Sequence, residues 1–144
     1  MSEMFCFQCQ QTAGNKGCVR TGVCGKQPET ANLQDALIYE LIRLAEAAQK
    51  SSKRSDTARR LLIDGLFTTL TNVNFDNAAI EEFTDRVIAE REAFGGYDGD
   101  LVELWKGDND TVSLRSTLLF GMKGICAPQP EPRQRGQGSD RVVL

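Results

Sequence analysis

Apolar residues recur at helical spacing through most of the chain, and nowhere do they alternate over a stretch long enough to argue a sheet. Leu33, Leu37, Leu41, Leu44 and Ala48, with Ala36, Ile38, Ile42 and Ala45 beside them, lie on a helix of about residues 30–49, entered past Pro28 and capped by Thr30. The polar run from Gln49 to Ser55 ends it, and Ser55 or Asp56 offers the next N-cap. Ala58, Leu62, Leu66 and Leu70, flanked by Leu61, Ile63 and Phe67, carry a second helix through about Asn72. Asp76 is placed to cap a third over 77–93, with Ile80, Phe83, Val87 and Ile88 inward and Glu81, Glu82, Asp85 and Glu90 outward. A loop with Gly95, Gly96 and Gly99 separates these from a last short unit in which Leu114, Leu118, Met122 and Ile125 repeat at helical spacing. The expected fold class is mainly α, an antiparallel helical bundle behind an N-terminal cysteine-rich loop.

Neither end follows this pattern. Residues 5–30 are loop-like, with Gly14, Gly17, Gly22 and Gly25 freeing the backbone to wrap closely around a compact group. Beyond Ala127 come Pro128, Pro130 and Pro132, then Arg, Gln, Gly and Ser nearly to the end, a composition that cannot build a core. The expected division is therefore one domain over 4–127 and a disordered or aberrant tail over 128–144. The balance of 40% hydrophobic and 26% charged residues with a formal charge of -3 points to neither nucleic acid nor membrane. No apolar run suits a signal peptide or a bilayer span, so the expected location is cytoplasmic.

That location changes how the cysteines read. Cys6, Cys9, Cys18 and Cys24 fall in a C-x2-C-x8-C-x5-C pattern at the start of a chain that has no histidine. A reducing compartment would not keep them as disulfides, so they are expected to be metal ligands, and an all-sulfur set points to iron–sulfur or structural zinc. Zinc sites usually pair two C-x2-C knuckles, and only the first pair here has that spacing. An iron–sulfur cube offers four separate corners and tolerates irregular spacing, so it is favoured, with a zinc-stabilised four-cysteine interaction module as the alternative. A thiol–disulfide role for Cys6-Phe7-Gln8-Cys9 would want a strand leading into a helix N-terminus, and no strand is evident. Lone Cys126 is expected to be core or incidental. The missing histidine also excludes Ser-His-Asp and Cys-His nucleophilic machinery.

The run Met4-Phe5-Cys6-Phe7-Gln8-Cys9-Gln10-Gln11-Thr12-Ala13-Gly14, with Gly17-Cys18, Gly22-Val23-Cys24-Gly25-Lys26 and Pro28-Glu29-Thr30-Ala31-Asn32-Leu33-Gln34-Asp35, closely resembles the N-terminus of the hybrid cluster protein family, also called prismane proteins or hydroxylamine reductases. The likeness continues through Gly65-Leu66-Phe67, Thr71 to Asp76 and Ser113-Leu114-Arg115. It implies that Cys6, Cys9, Cys18 and Cys24 hold a 4Fe-4S cubane near the surface. Lys16, Arg20 and Lys26 lie among these cysteines and are expected either to offset negative charge or guide an acidic donor, or to form no more than a solvated charged loop. The resemblance also implies a parent that reduces hydroxylamine to ammonia and water, or reduces nitric oxide, at a hybrid 4Fe-2O-2S cluster held by a histidine, a glutamate and further cysteines of later domains. Those ligands are not expected here, and the chain reads as truncated relative to the family. The expected partners are a redox donor protein or the remaining catalytic domains, with self-association through an apolar face around Leu114, Leu118 and Met122 left exposed.

Overall fold

A computed structural model describes residues 3–9, 12, 14, 16–70, 73–99 and 103–128. Four helices follow the cysteine-rich loop: α1 (Pro28–Lys50), α2 (Asp56–Thr68), α3 (Asn77–Ala93) and α4 (Asn109–Cys126). No strand forms among the described residues, and the one β-bridge pairs Cys6 with Cys18. The fold is a helical bundle, as the spacing of apolar residues predicts. No helix in the described residues is long and apolar enough to cross a membrane.

The helix starts follow local chemistry. Ser55 accepts from the Ala58 N–H at 3.0 Å and Asp76 from the Ala79 N–H at 3.1 Å, each satisfying a donor that the first turn leaves open. Asp108 does the same for Thr111 at the head of α4. Thr30 does not cap α1. That helix begins two residues earlier than expected, with Pro28 in its first turn, where the missing N–H costs nothing. Thr30 then lies inside the helix, buried, and its hydroxyl donates to Asn77 Oδ1 at 2.7 Å, tying α1 to the start of α3. The second helix stops at Thr68, short of Asn72; Thr71 and Asn72 are outside the described residues, as are 129–144, most of the expected tail.

The core lies where α1 meets α2 and α3. Leu37, Leu41, Leu44, Ala58, Leu61, Ile80 and Val87 are buried there, with Leu33, Leu62, Leu66, Phe83 and Phe94 against them. Helices α1 and α2 approach closely at Gly65, where a Cβ would sit 2.8 Å from both Leu41 methyls and 3.1 Å from Phe83 Cε1. Leu41 is itself buried and has nowhere to retreat. Gly65→Ala is therefore expected to destabilise the chain by about 1–2 kcal/mol, overpacking outweighing the helix propensity that alanine adds. A lower denaturant midpoint at unchanged slope is the result to look for.

Helix α4 packs on α2 and is the exception to the binary pattern. Its buried residues are Ser116 and Lys123, whereas Leu114, Leu118 and Ile125 are 70%, 65% and 80% exposed. The helix is where the spacing puts it, and its apolar face looks outward, as the resemblance implies. Cys126 ends this helix, partly buried, and burial pushes its thiol above the ordinary value.

Candidate functional site: the cysteine loop and its buried polar floor

The loop that carries the four cysteines is held by its own backbone and by α1. Cys6 and Cys18 exchange N–H···O bonds of 3.0 and 2.8 Å, which sets these two residues side by side. Beneath them Met4, Cys18 and Ala31 form a small second core, with Cys6 packed against it. Gly17 has φ of 106°, and a Cβ there would come within 2.7 Å of the Phe5 ring, so the chain turns into Cys18 only with glycine. Cys24 rides on a tight turn closed by the Gly25 N–H to the Gly22 carbonyl, 2.8 Å, and clamped by the Gly22 N–H to the Lys26 carbonyl, also 2.8 Å. Glu3 is pinned to α1 through Asn32 Nδ2, 3.0 Å from its carbonyl oxygen.

All five cysteines are free thiols. Cys18 is buried and Cys6, Cys9 and Cys24 are partly exposed, while Val19 and Val23, beside two of them, are well exposed. Among the described residues no three Cys, Asp or Glu side chains converge closely enough to hold a metal ion. The structure thus pairs Cys6 with Cys18 and places Cys9 and Cys24 on the same loop without gathering all four. As a donor set the four thiols suit a soft, thiolate-loving group.

Below the loop lies a polar network that the sequence reading did not single out, apart from Lys26. The Lys26 side chain is buried, its Nζ 2.6 Å from Gln34 Oε1 and 4.0 Å from Cys6 Sγ. Burial pushes the Cys6 thiol up from its ordinary value, and the Lys26 ammonium opposes that shift. Lys123, 1% exposed, reaches in from α4 and donates to the Thr69 carbonyl at 3.0 Å, a free carbonyl at the end of α2. The Gln8 amide, oriented by its neighbours, donates to the same carbonyl and accepts from Lys123 Nζ, both at 3.1 Å. Ser116 donates to the Phe7 carbonyl at 2.7 Å. Asp35 accepts from Trp105 Nε1 at 2.9 Å, and the Trp105 ring packs on Phe5, 5.7 Å between centroids.

The electrostatics of this floor are set by withdrawal from water. Burial raises the Asp35 carboxyl to about 6 against the Trp105 hydrogen bond and the pull of Lys123 and Lys26. Burial and then repulsion from Lys26 lower Lys123 to about 8, against the pull of Asp35 and Cys6. Two ammonium groups share the floor with one carboxyl, leaving positive charge in surplus beneath the thiols.

Lys123 had a signal in the sequence. It stands in an otherwise apolar and small-residue stretch, Leu118 to Cys126, two turns after Ser116 and so on the same helix face. Arg115 also has a place: its Nη1 meets the Glu103 and Lys106 carbonyls at 2.9 and 2.8 Å, fastening the turn that presents Trp105. Lys16 and Arg20 are exposed, so of the three cations expected among the cysteines only Lys26 is built into the floor.

The chain is 35% identical to a protein named hydroxylamine reductase from Methanocella arvoryzae, over 96% of this chain and 32% of that protein. It is 38% identical to one of the same name from Syntrophobacter fumaroxidans, again over 96% and 32%, and 48% identical to one from Petrotoga mobilis, over 87% and 30%. It spans about a third of the length of these relatives. The family model described as Prismane/CO dehydrogenase matches residues 4–132, from the cysteine loop through all four helices, and the chain belongs to that family.

Proposed function

We propose that this chain is the electron-entry unit of a hydroxylamine reductase, with Cys6, Cys9, Cys18 and Cys24 as thiolate ligands of one 4Fe-4S cluster. The observation that carries the reading is the loop itself: four free thiols on one glycine-shaped segment above a floor with a surplus of buried positive charge. When bound, such a group takes up and releases one electron at a time. The residues of the chain do the rest. Cys6 and Cys18, set side by side by their paired backbones, would supply two of the thiolates, and Cys9 and Cys24, on the same loop, the other two. Lys26 lies against Cys6, where its ammonium favours the thiolate over the thiol. Exposed Val19 and Val23 leave a short path from solvent to Cys18 and Cys24, as contact with a redox donor protein requires.

Hydroxylamine reduction to ammonia and water consumes two electrons and two protons and needs a metal position open to the substrate nitrogen. Four cysteines on four irons leave none, and the histidine that the resemblance gives to the hybrid cluster is absent from this chain. The chain alone is therefore expected to relay electrons without substrate turnover. Anaerobic reconstitution tests the reading. A brown protein with iron and acid-labile sulfide at about four each per chain, reduced by dithionite and reoxidised by an artificial acceptor, is the expected result. Colourless protein with stoichiometric zinc would establish the four-cysteine zinc module instead. Ammonia formation from hydroxylamine by the loaded chain would show that the catalytic role was misplaced.

A further inference from the structure

Helix α4 buries a lysine and exposes its leucines, and a buried ammonium is costly unless something nearby repays it. Part of the repayment is visible: Lys123 Nζ satisfies the Thr69 carbonyl, where the α2 dipole also favours a cation, and it meets the Gln8 amide oxygen. A neutral donor could make both hydrogen bonds. The charge has other company, Asp35 on α1, Lys26 from the loop, and the Cys6 thiol. Gln8 stands between Cys6 and Cys9, so Lys123 is joined to the cysteine loop by a direct hydrogen bond to the Gln8 side-chain amide oxygen.

We infer that Lys123 is a positioning residue for electron entry, its buried ammonium favouring the reduced form of the group held by the cysteine loop. This rests on the reading of that loop as a 4Fe-4S site. Four thiolates around such a core carry a net charge of about -2, which becomes about -3 when one electron arrives from a low-potential one-electron donor. No bond forms or breaks. The added negative charge falls on the loop beside Lys123 and Lys26, whose ammonium groups are themselves withdrawn from water, and a fixed cation there stabilises the reduced form more than the oxidised one. Lys123 thereby links α4, the helix with the unpartnered apolar face, to the ease of reduction of the loop.

The test is an electron-paramagnetic-resonance-monitored redox titration of the reconstituted full chain and its Lys123 variants. Lys123→Gln retains a donor for Thr69 and removes the charge, Lys123→Met removes both, and Lys123→Arg keeps the charge. Lys123→Gln and Lys123→Met are each expected to lower the reduced-to-oxidised ratio at fixed potential about tenfold, a midpoint about 59 mV more negative, with Lys123→Arg near the wild type. Should Lys123→Met fail to hold iron, Lys123→Gln carries the comparison. A Lys123→Gln chain with full iron and sulfide and an unchanged midpoint would overturn the inference alone, leaving Lys123 a tie between helices. A wild-type chain that assembles no iron–sulfur group would overturn the reading of the loop and this inference with it.

Discussion

Cys18→Ser is expected to strip the chain of nearly all its iron, sulfide and visible colour while leaving the helices in place. Cys18 is the buried member of the set and shares the small core with Met4 and Ala31. A serine oxygen is a harder and weaker ligand for iron than a thiolate, and here it would also sit in an apolar pocket. Its backbone bonds to Cys6 would survive, so the loop should keep its path and lose its donor. The main core of Leu37, Leu44, Ile80 and Val87 includes no loop residue, so helical circular dichroism should change little. Cys126→Ser, at the far end of α4, should keep full iron and sulfide. Retention of the full complement by Cys18→Ser, measured anaerobically beside Cys126→Ser, would remove Cys18 from the ligand set.

How much of this was legible in the sequence differs between the bundle and the site. The third helix is found at its expected bounds because Asp76 caps it by a local rule and Ile80 and Val87 repeat on one face. The first starts earlier than expected because Thr30, a good cap by residue type, finds a better partner in Asn77, distant in sequence. Inward positions shift for the same reason: Gln34 and Glu40 take core-side places on α1 while Ala36 and Ala45 face water. Gln34 is repaid by Lys26 and by the Asn74 carbonyl, and Glu40 by Arg91, partners from outside α1 that only tertiary folding brings near, with Arg43 one turn along the same helix adding to Glu40. The cysteines could be picked out by spacing, since ligands must be near in sequence to share a loop. Beyond the signal at Lys123 the floor could not, because Gln8, Asp35, Thr69 and Lys123 come from four separate segments and no periodicity joins them.

Asp35 should make the metal-free chain more stable at about pH 4 than at about pH 7, by about 2 kcal/mol from this group. Its carboxyl is pushed up from an ordinary 3.8 to about 6, chiefly by burial, and the ammonium groups of Lys123 and Lys26 with the Trp105 N–H only partly offset that. Between those values the native chain holds a proton that the unfolded chain has lost. Asp35's contribution is thus fully present below 3.8 and is lost as pH rises through about 6. Lys123 acts later and in the opposite sense: it is held at about 8 against 10.5, so its contribution is present above 10.5 and lost as pH falls through 8. Together they place the floor's least favourable range between about pH 6 and 8, where both charges are buried. Asp35→Asn retains an oxygen for Trp105 Nε1 and cannot ionise, so it should erase the acid limb. The quantity to measure is the unfolding free energy of wild type minus Asp35→Asn in denaturant across about pH 4–7. Exposed carboxylates such as Asp98 and Asp108, whose values are lowered by their hydrogen bonds, cancel in that difference. It should fall steadily from about pH 4 to 6 and then level off, and a difference that stays constant over the whole range would mean that Asp35 ionises in the folded chain as it does in water.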